Sequence, residues 1–212
     1  MNLPPESGTV FIVDDDASFL KSVSRLLRAA GFSVQAFESA EKFLEQLAPG
    51  MSGCVLADLQ MPGLNGLELQ EALAKSANPL PVVFLSAQGD IPTTVQAMRR
   101  GAEDFLTKLS PKEKLLDAIG RALARGARER EERERLRELR GRFDALTPRE
   151  LEVLEHVVRG RMNKEIADAL QIHERTVKLH RTNLTRRLQV QSVAELTRLV
   201  EEAGLFKRGR AE

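Results

Sequence analysis

Over the first ~120 positions, short apolar runs alternate with amphipathic stretches, the pattern of strands and helices in turn. The apolar runs are Thr9–Val13, Ser33–Phe37, Cys54–Ala57, Val82–Leu85 and Asp104–Leu106. Between the first two, Phe19, Leu20, Val23, Leu26 and Leu27 recur at helical spacing, and Gly31 supplies a stop. Ser39 is a good N-cap for the next helix, with Phe43, Leu44 and Leu47 on one face and Pro49-Gly50 at its end. Pro92 stands near the first turn of the helix after the fourth run, and Gly101 closes that helix. The last helix of this half starts at Lys112, with Leu115, Leu116, Ile119 and Leu123 inward. Five strand–helix repeats of this length predict an α/β doubly wound domain: a five-stranded parallel sheet with helices on both faces.

The pattern changes after residue 120. Arg128 to Arg135 is almost pure charge, with Glu129/Arg133 and Glu131/Arg135 at i,i+4, and no Pro interrupts it, so the preceding helix is expected to continue as a long connector. Leu136, Leu139, Phe143 and Leu146 then form a short heptad-like seam. Two readings stay open for it: a solvated connector helix, or a coiled-coil element between two chains.

From Leu146 onward every signal is helical. Thr147-Pro148-Arg149-Glu150 is a capping box with Pro at the first helical position, flanked by Leu146 and Leu151 as a hydrophobic staple. Gly160 ends that helix, and Asn163 is expected to cap a short one carrying Ile166, Ala167 and Leu170. The turn Gln171-Ile172-His173 leads into a helix over 174–188, with His173 a weak N-cap, and Ser192 with Glu195 opens a last helix that Gly204 ends. Four short helices with a tight turn between the second and third predict an all-α helix-turn-helix domain. The expected division is 1–120, a charged helical linker over 121–144, and 145–212.

Charge sharpens this division. Residues 1–120 hold 10 Lys/Arg against 15 Asp/Glu, and residues 121–212 hold 22 against 16. An acidic half joined to a basic half points to different partners, the basic one meeting a polyanion. The basic half has no Trp or Tyr to stack unpaired bases on, so duplex DNA is expected over single strands or RNA. One cysteine, Cys54, excludes an internal disulfide framework. No apolar run is long enough for a membrane span and no Sec leader is expected at Met1–Glu6, so the expected compartment is the cytoplasm, with no membrane partner.

The candidate chemistry is acidic. In an open parallel sheet ligands bind beyond the carboxyl ends of the strands, where strand order reverses. Asp14, Asp15 and Asp16 follow the first run and Asp58 the third, and in the order 2-1-3-4-5 these strands are neighbours. Carboxylates brought together repel and need a cation, and oxygen ligands favour Mg²⁺. Ser86 after the fourth run adds a hydroxyl and Lys108 after the fifth an ammonium, which together make a site for an acyl phosphate. Asp16 is expected to cap a helix and Cys54 to be packing. On the helix over 174–188, Val177, Leu184 and Leu188 should face inward, with Arg175, Lys178, Thr182 and Arg186 on the other face.

These segments carry a family resemblance. Val13-Asp14-Asp15-Asp16, Leu56 to Gly63, Leu85-Ser86-Ala87 and Gly101 to Lys108 resemble a response-regulator receiver domain with its flavodoxin-like (CheY-like) fold. Asn163 to Ala167 and Thr176 to His180 resemble a LuxR-type helix-turn-helix. The pairing is similar to the FixJ/NarL family of two-component transcription regulators. The resemblance implies Asp58 as phosphoacceptor, with Mg²⁺ held by Asp14, Asp15, Asp58 and the backbone carbonyl of Gln60. It implies phosphoryl contacts from Ser86 and Lys108, and Phe105 as the aromatic that changes rotamer. On DNA it implies base contacts from Lys178, Leu179 and Thr182, and phosphate contacts from Lys164, Arg175, Thr176, Arg181 and Arg186. His180 lies near the apolar stripe of that helix and is expected to be a packing residue. Implied partners are a sensor histidine kinase, double-stranded promoter DNA, RNA polymerase, and a second copy of the chain on phosphorylation. Pairing is expected on the face with Arg99, Arg100, Glu103 and Asp104, with the seam free to add to it.

One position departs from the family: Leu109 follows Lys108 where Pro is usual, so this peptide is expected trans. The chain is not expected to be an enzyme. Two rivals remain: an aspartyl-phosphate-forming, Mg-dependent hydrolase of the haloacid-dehalogenase kind, and a DNA-independent phosphorelay adaptor. The first would carry its nucleophile after the first strand, in an Asp-x-Asp pattern.

Overall fold

A computed structural model describes residues 8–87 and 91–206; the Met1–Glu6 segment and both outer ends of the expected division lie outside the described residues. The chain forms two compact units, residues 1–130 and 131–212. The first contains β1 (Thr9–Val13), α1 (Ala17–Ala29), β2 (Val34–Phe37), α2 (Ala40–Gln46) and β3 (Gly53–Ala57). It continues with α3 (Gly66–Lys75), β4 (Val82–Ser86), α4 (Ile91–Arg99) and β5 (Asp104–Thr107). The sheet is parallel throughout, in the order β2-β1-β3-β4-β5. Each strand lies within a residue or so of the expected run.

Period-two alternation along the strands divides the core into two layers. Phe11, Val13, Val55, Ala57 and Phe84 face one layer with Ala40 and Phe43 of α2, Leu69 and Leu73 of α3, and Ala97 of α4. Val10, Ile12, Cys54, Leu56, Val83 and Leu85 face the other, against Leu20, Val23 and Leu27 of α1 and the first turns of α5 (Lys112–Asp144). Phe43 is fully buried, with its ring 5.6 Å from Phe11 and 5.2 Å from Phe37. A side chain of this size buried completely contributes ~1.5–3 kcal/mol. Cys54 is core, as expected; burial pushes its thiol up to about 12, beyond reactivity.

The charges on β5 and early α5 are paired within the chain. Arg121 meets Asp104 at 2.5 Å and Glu103 at 3.4 Å, and Arg125 lies 3.5 Å from Glu103. Arg100 reaches Glu71 at 3.6 Å. Of the charges expected to face a second copy, Arg100, Glu103 and Asp104 thus already have intrachain partners.

The second unit holds the end of α5 with α6 (Pro148–Val158), α7 (Asn163–Leu170), α8 (Glu174–Leu188) and α9 (Val193–Ala203). Leu139, Phe143 and Leu146 are buried with Val153, Leu154, Ile166, Val177, Leu184 and Leu196. Leu139, Phe143 and Leu146 of the apolar seam, read from sequence as solvated or intermolecular, are instead part of this core. Arg140 Nε donates to the Ala203 carbonyl at 3.0 Å, and Arg135 pairs with Glu132 and Glu202, so the expected Glu131–Arg135 pair is replaced. Thr147 and Glu150 form the expected capping box, with Pro148 at N1.

Candidate functional site

The last rungs of the parallel ladder place the acidic residues. The Asp14 amide donates to the Phe37 carbonyl at 3.1 Å, and the Asp58 amide to the Val13 carbonyl at 2.8 Å. The Lys108 amide donates to the Ser86 carbonyl at 2.9 Å. Each side chain therefore leaves the sheet at its carboxyl edge, over the point where strand order reverses. Single carboxylate oxygens of Asp14, Asp15 and Asp58 lie within 4.8 Å of one another, Asp14 and Asp58 buried and Asp15 exposed.

Lys108 sits at the centre. Its Nζ is 2.6 Å from Asp14 Oδ2, 2.8 Å from Asp58 Oδ2, and over the face of Phe19 at 4.3 Å from the ring centroid. Burial raises the Asp14 carboxyl above its ordinary value, against the opposing pull of Lys108 and the Asp16 amide. For Lys108 burial works downward, but its hydrogen bonds to Asp14 and Asp58 outweigh it and hold the ammonium above its usual range.

The surrounding residues fall largely where the sequence puts them. Ser86 ends β4 and is buried. Phe105 on β5 is half-buried, its ring 6.0 Å from Phe84. Gln60 is exposed beside Asp58, its amide 3.3 Å from Asp58 Oδ1. Asp16 is a cap, accepting from the amides of Ser18 and Phe19. The Lys108–Leu109 peptide is trans, and the Leu109 side chain is 92% exposed.

Three residues of this pocket were not singled out from sequence. Gly66 opens α3, where a Cβ would lie 2.4 Å from the Asp58 carbonyl oxygen and 2.9 Å from the Phe84 ring. Glu41 accepts the Leu64 amide at 2.8 Å, tying α2 to the loop after Asp58. Phe19 reads in the sequence only as part of an apolar helix face. The Asn65–Glu68 capping box was a visible signal for the start of α3.

The donor set suits a hard cation. Three carboxylates gathered around one ammonium leave net negative charge, and all are oxygen ligands, which match Mg²⁺. The same edge offers a buried carboxylate as nucleophile, with an ammonium beside it and a hydroxyl on the next strand.

In the second unit, Gln171 adopts a left-handed conformation (φ 52°) between α7 and α8, and closes the tight turn. Val177, Leu184 and Leu188 of α8 are buried, and Arg175, Lys178, Thr182 and Arg186 lie on its exposed face, as expected. Leu179 is 58% exposed, with Thr176 half-buried and Lys164 exposed on α7. One expectation changes. Met162, not Asn163, occupies the N-cap position of α7, where the Glu165 carboxylate accepts its amide. Asn163 instead accepts from half-buried Arg181 at 2.9 Å, which draws that guanidinium toward α7. His173 makes no side-chain cap bond, as its weak capping ability predicts.

Residues 10–120 match the family model for the response regulator receiver domain, and residues 144–200 that for bacterial regulatory proteins of the luxR family. The chain is 38% identical over 200 residues to response regulator protein TodT of Pseudomonas putida, covering 94% of this chain and 88% of that one. It is 37% identical over 200 residues to transcriptional regulatory protein FixJ of Bradyrhizobium diazoefficiens, covering 94% and 97%. Among solved structures it resembles response regulator StyR, with a TM-score of 0.78 and 48% identity over 92% of this chain and 99% of that one.

Proposed function

Because the chain belongs to the two-component response regulators that join a receiver to a LuxR-family DNA-binding domain, we propose that phosphorylation of Asp58 controls its binding to promoter DNA. The observation that carries this reading is Asp58 itself, a buried carboxylate at the carboxyl edge of β3, 2.8 Å from Lys108 and beside Asp14 and Asp15. We take residues 1–120 as the receiver, 121–144 as the linker and 145–212 as the DNA-binding domain, working in the cytoplasm.

A sensor histidine kinase is the donor. A carboxylate oxygen of Asp58 bonds to phosphorus as the P–N bond of the phosphohistidine breaks, and the electron pair leaves with the imidazole nitrogen. Asp14, Asp15, Asp58 and the Gln60 carbonyl would hold Mg²⁺, which supplies neutralising charge for the phosphoryl oxygens. Lys108, already at Asp58 Oδ2, follows the new phosphoryl oxygens, and Ser86 donates its hydroxyl to another. Phe105 turns inward with Ser86, reshaping the face of α4 and β5.

That face then pairs with a second copy. Ile91, Val95 and Met98 fall at i, i+4, i+7 on α4, exposed at 80%, 43% and 44%, an exposed apolar stripe. With Glu103 and Asp104 engaged by Arg121 and Arg125, apolar contact rather than new ion pairs drives the association. Two recognition helices then engage one duplex: Lys178, Leu179 and Thr182 read bases, while Lys164, Arg175, Thr176, Arg181 and Arg186 grip phosphates, and RNA polymerase is the downstream partner.

Incubation with acetyl phosphate and Mg²⁺, followed by mass spectrometry, tests the acceptor. One phosphoryl group is expected on the wild type and none on Asp58→Asn. A mass gain that persists in the variant sinks the assignment.

A further inference from the structure

Lys108 is an exposed-loop residue doing a buried task, and the usual brace beside it is missing. The Leu109 side chain is 92% exposed, so it cannot hold the lysine stem from that side. The root of Lys108 is fixed by a turn instead: Ser110 Oγ accepts the Thr107 amide at 3.1 Å, and the Ser110 amide donates to the Thr107 carbonyl at 2.9 Å. A turn fixes the backbone but leaves four side-chain torsions free. The ammonium needs a wall of its own.

Phe19 supplies it. The ammonium lies over its ring at 4.3 Å from the centroid, within the range where the negative face of an aromatic attracts a cation. The backbone that carries the ring is anchored, because Asp16 Oδ1 accepts the Phe19 amide at 3.1 Å and Asp14 Oδ1 accepts the Asp16 amide at 2.9 Å, and the side chain packs against the core layer of Val10 and Ile12. Asp14 Oδ2 in turn holds Lys108 at 2.6 Å. Asp14, Asp16, Phe19 and Lys108 thus close a ring of contacts, with the ammonium pressed between an aromatic face and two carboxylates.

We infer that Phe19 is a positioning residue for phosphoryl transfer to Asp58, acting through Lys108 by limiting where the ammonium can move when Asp58 carries the phosphoryl group. This rests on the proposed role of Asp58. Because the ring acts on Asp58 through the Lys108 ammonium, its loss should lower the saturating rate and leave the half-saturating donor concentration unchanged.

The experiment uses the full chain with acetyl phosphate and Mg²⁺, and compares wild type, Phe19→Leu and Phe19→Tyr. Phe19→Leu should lower the saturating phosphorylation rate about 2–5-fold, the worth of a cation–π contact at a partly exposed site. Phe19→Tyr, which keeps the ring face, should restore it. In the phosphate-free chain the ε-methylene protons of Lys108 should show an upfield ring-current shift by NMR, lost in Phe19→Leu and kept in Phe19→Tyr. Unshifted Lys108 protons in the wild type would overturn the inference, as would a Phe19→Leu rate equal to wild type or a Phe19→Tyr rate as low as that of Phe19→Leu. A wild type that accepts no phosphoryl group would overturn the Asp58 reading and this inference with it; the ring-current shift would then separate that failure from one of the lysine's pose.

Discussion

Replacing Phe143 with Ala tests whether the end of the long helix belongs to the core of its own chain. Phe143 is 2% exposed and lies among Leu139, Leu146, Val153 and Leu154. Truncation of a buried Phe leaves a cavity and costs ~3–5 kcal/mol. A unit of roughly 80 residues has only ~4–12 kcal/mol of stability to lose. At this size each kcal/mol shifts the midpoint by ~4–8 °C, so a fall of ~12 °C or more is expected for the second unit. The chain has neither Trp nor Tyr, so melting is best followed by far-UV circular dichroism, with amide exchange of α6–α9 to separate the two units. The decisive control is protein concentration. If the seam packs intramolecularly, the loss is the same in dilute and concentrated samples. A loss that grows with concentration, or a wild-type midpoint that rises with it while the variant's does not, would mean the seam joins two chains.

Other consequences are equally direct. Gly66→Ala forces a Cβ to within 2.4 Å of the Asp58 carbonyl oxygen, so overpacking should cost ~1–3 kcal/mol and slow phosphorylation; unchanged values for both would refute the tight approach. Glu150 is held below the usual carboxylate range, chiefly by the Thr147 amide, so its contribution is present above about pH 4.5 and is lost as pH falls through the lowered native value. Glu150→Gln should therefore weaken the second unit at neutral pH and flatten its acid-induced loss, and an unaltered acid profile would contradict this. Lys178→Ala should relax preference at one base position and Arg186→Ala should weaken all duplexes alike, as read by selection from a random pool; equal, sequence-blind losses would refute the division. Beryllofluoride, which mimics the acyl phosphate, should drive a monomer–dimer shift in sedimentation that Val95→Glu blocks, and a dimer indifferent to Val95→Glu would exclude the α4 stripe.

How much was legible in sequence depended on how local each signal is. The central strands β3 and β4 stand out because both their faces are buried; Asp14, Asp58 and Ser86 stand out because each follows an apolar run directly, and Lys108 because it follows the fifth run by two residues. Asp16 was readable as a cap from its place before a helix. The buried end of α5 was not, since a short apolar seam has the same spacing whether its partner is its own core or another chain. Gly66 and Glu41 act across loops that bring distant segments together, and no periodicity reports such contacts. Phe19 was hidden by its ordinariness, one apolar residue on an apolar face until the fold brings Lys108 over it. Asn163 looked like a cap by residue type, but Arg181 from α8 claims its side chain.

The most direct measurement is the affinity of the full chain for a selected duplex, with and without phosphoryl donor and Mg²⁺, for wild type and Asp58→Asn. Donor should tighten wild-type binding by ~10²–10⁴-fold, the gain from making the second half-site contact intramolecular, and should leave Asp58→Asn unchanged. An equal gain in both proteins, or no gain in either, would contradict control of DNA binding through Asp58.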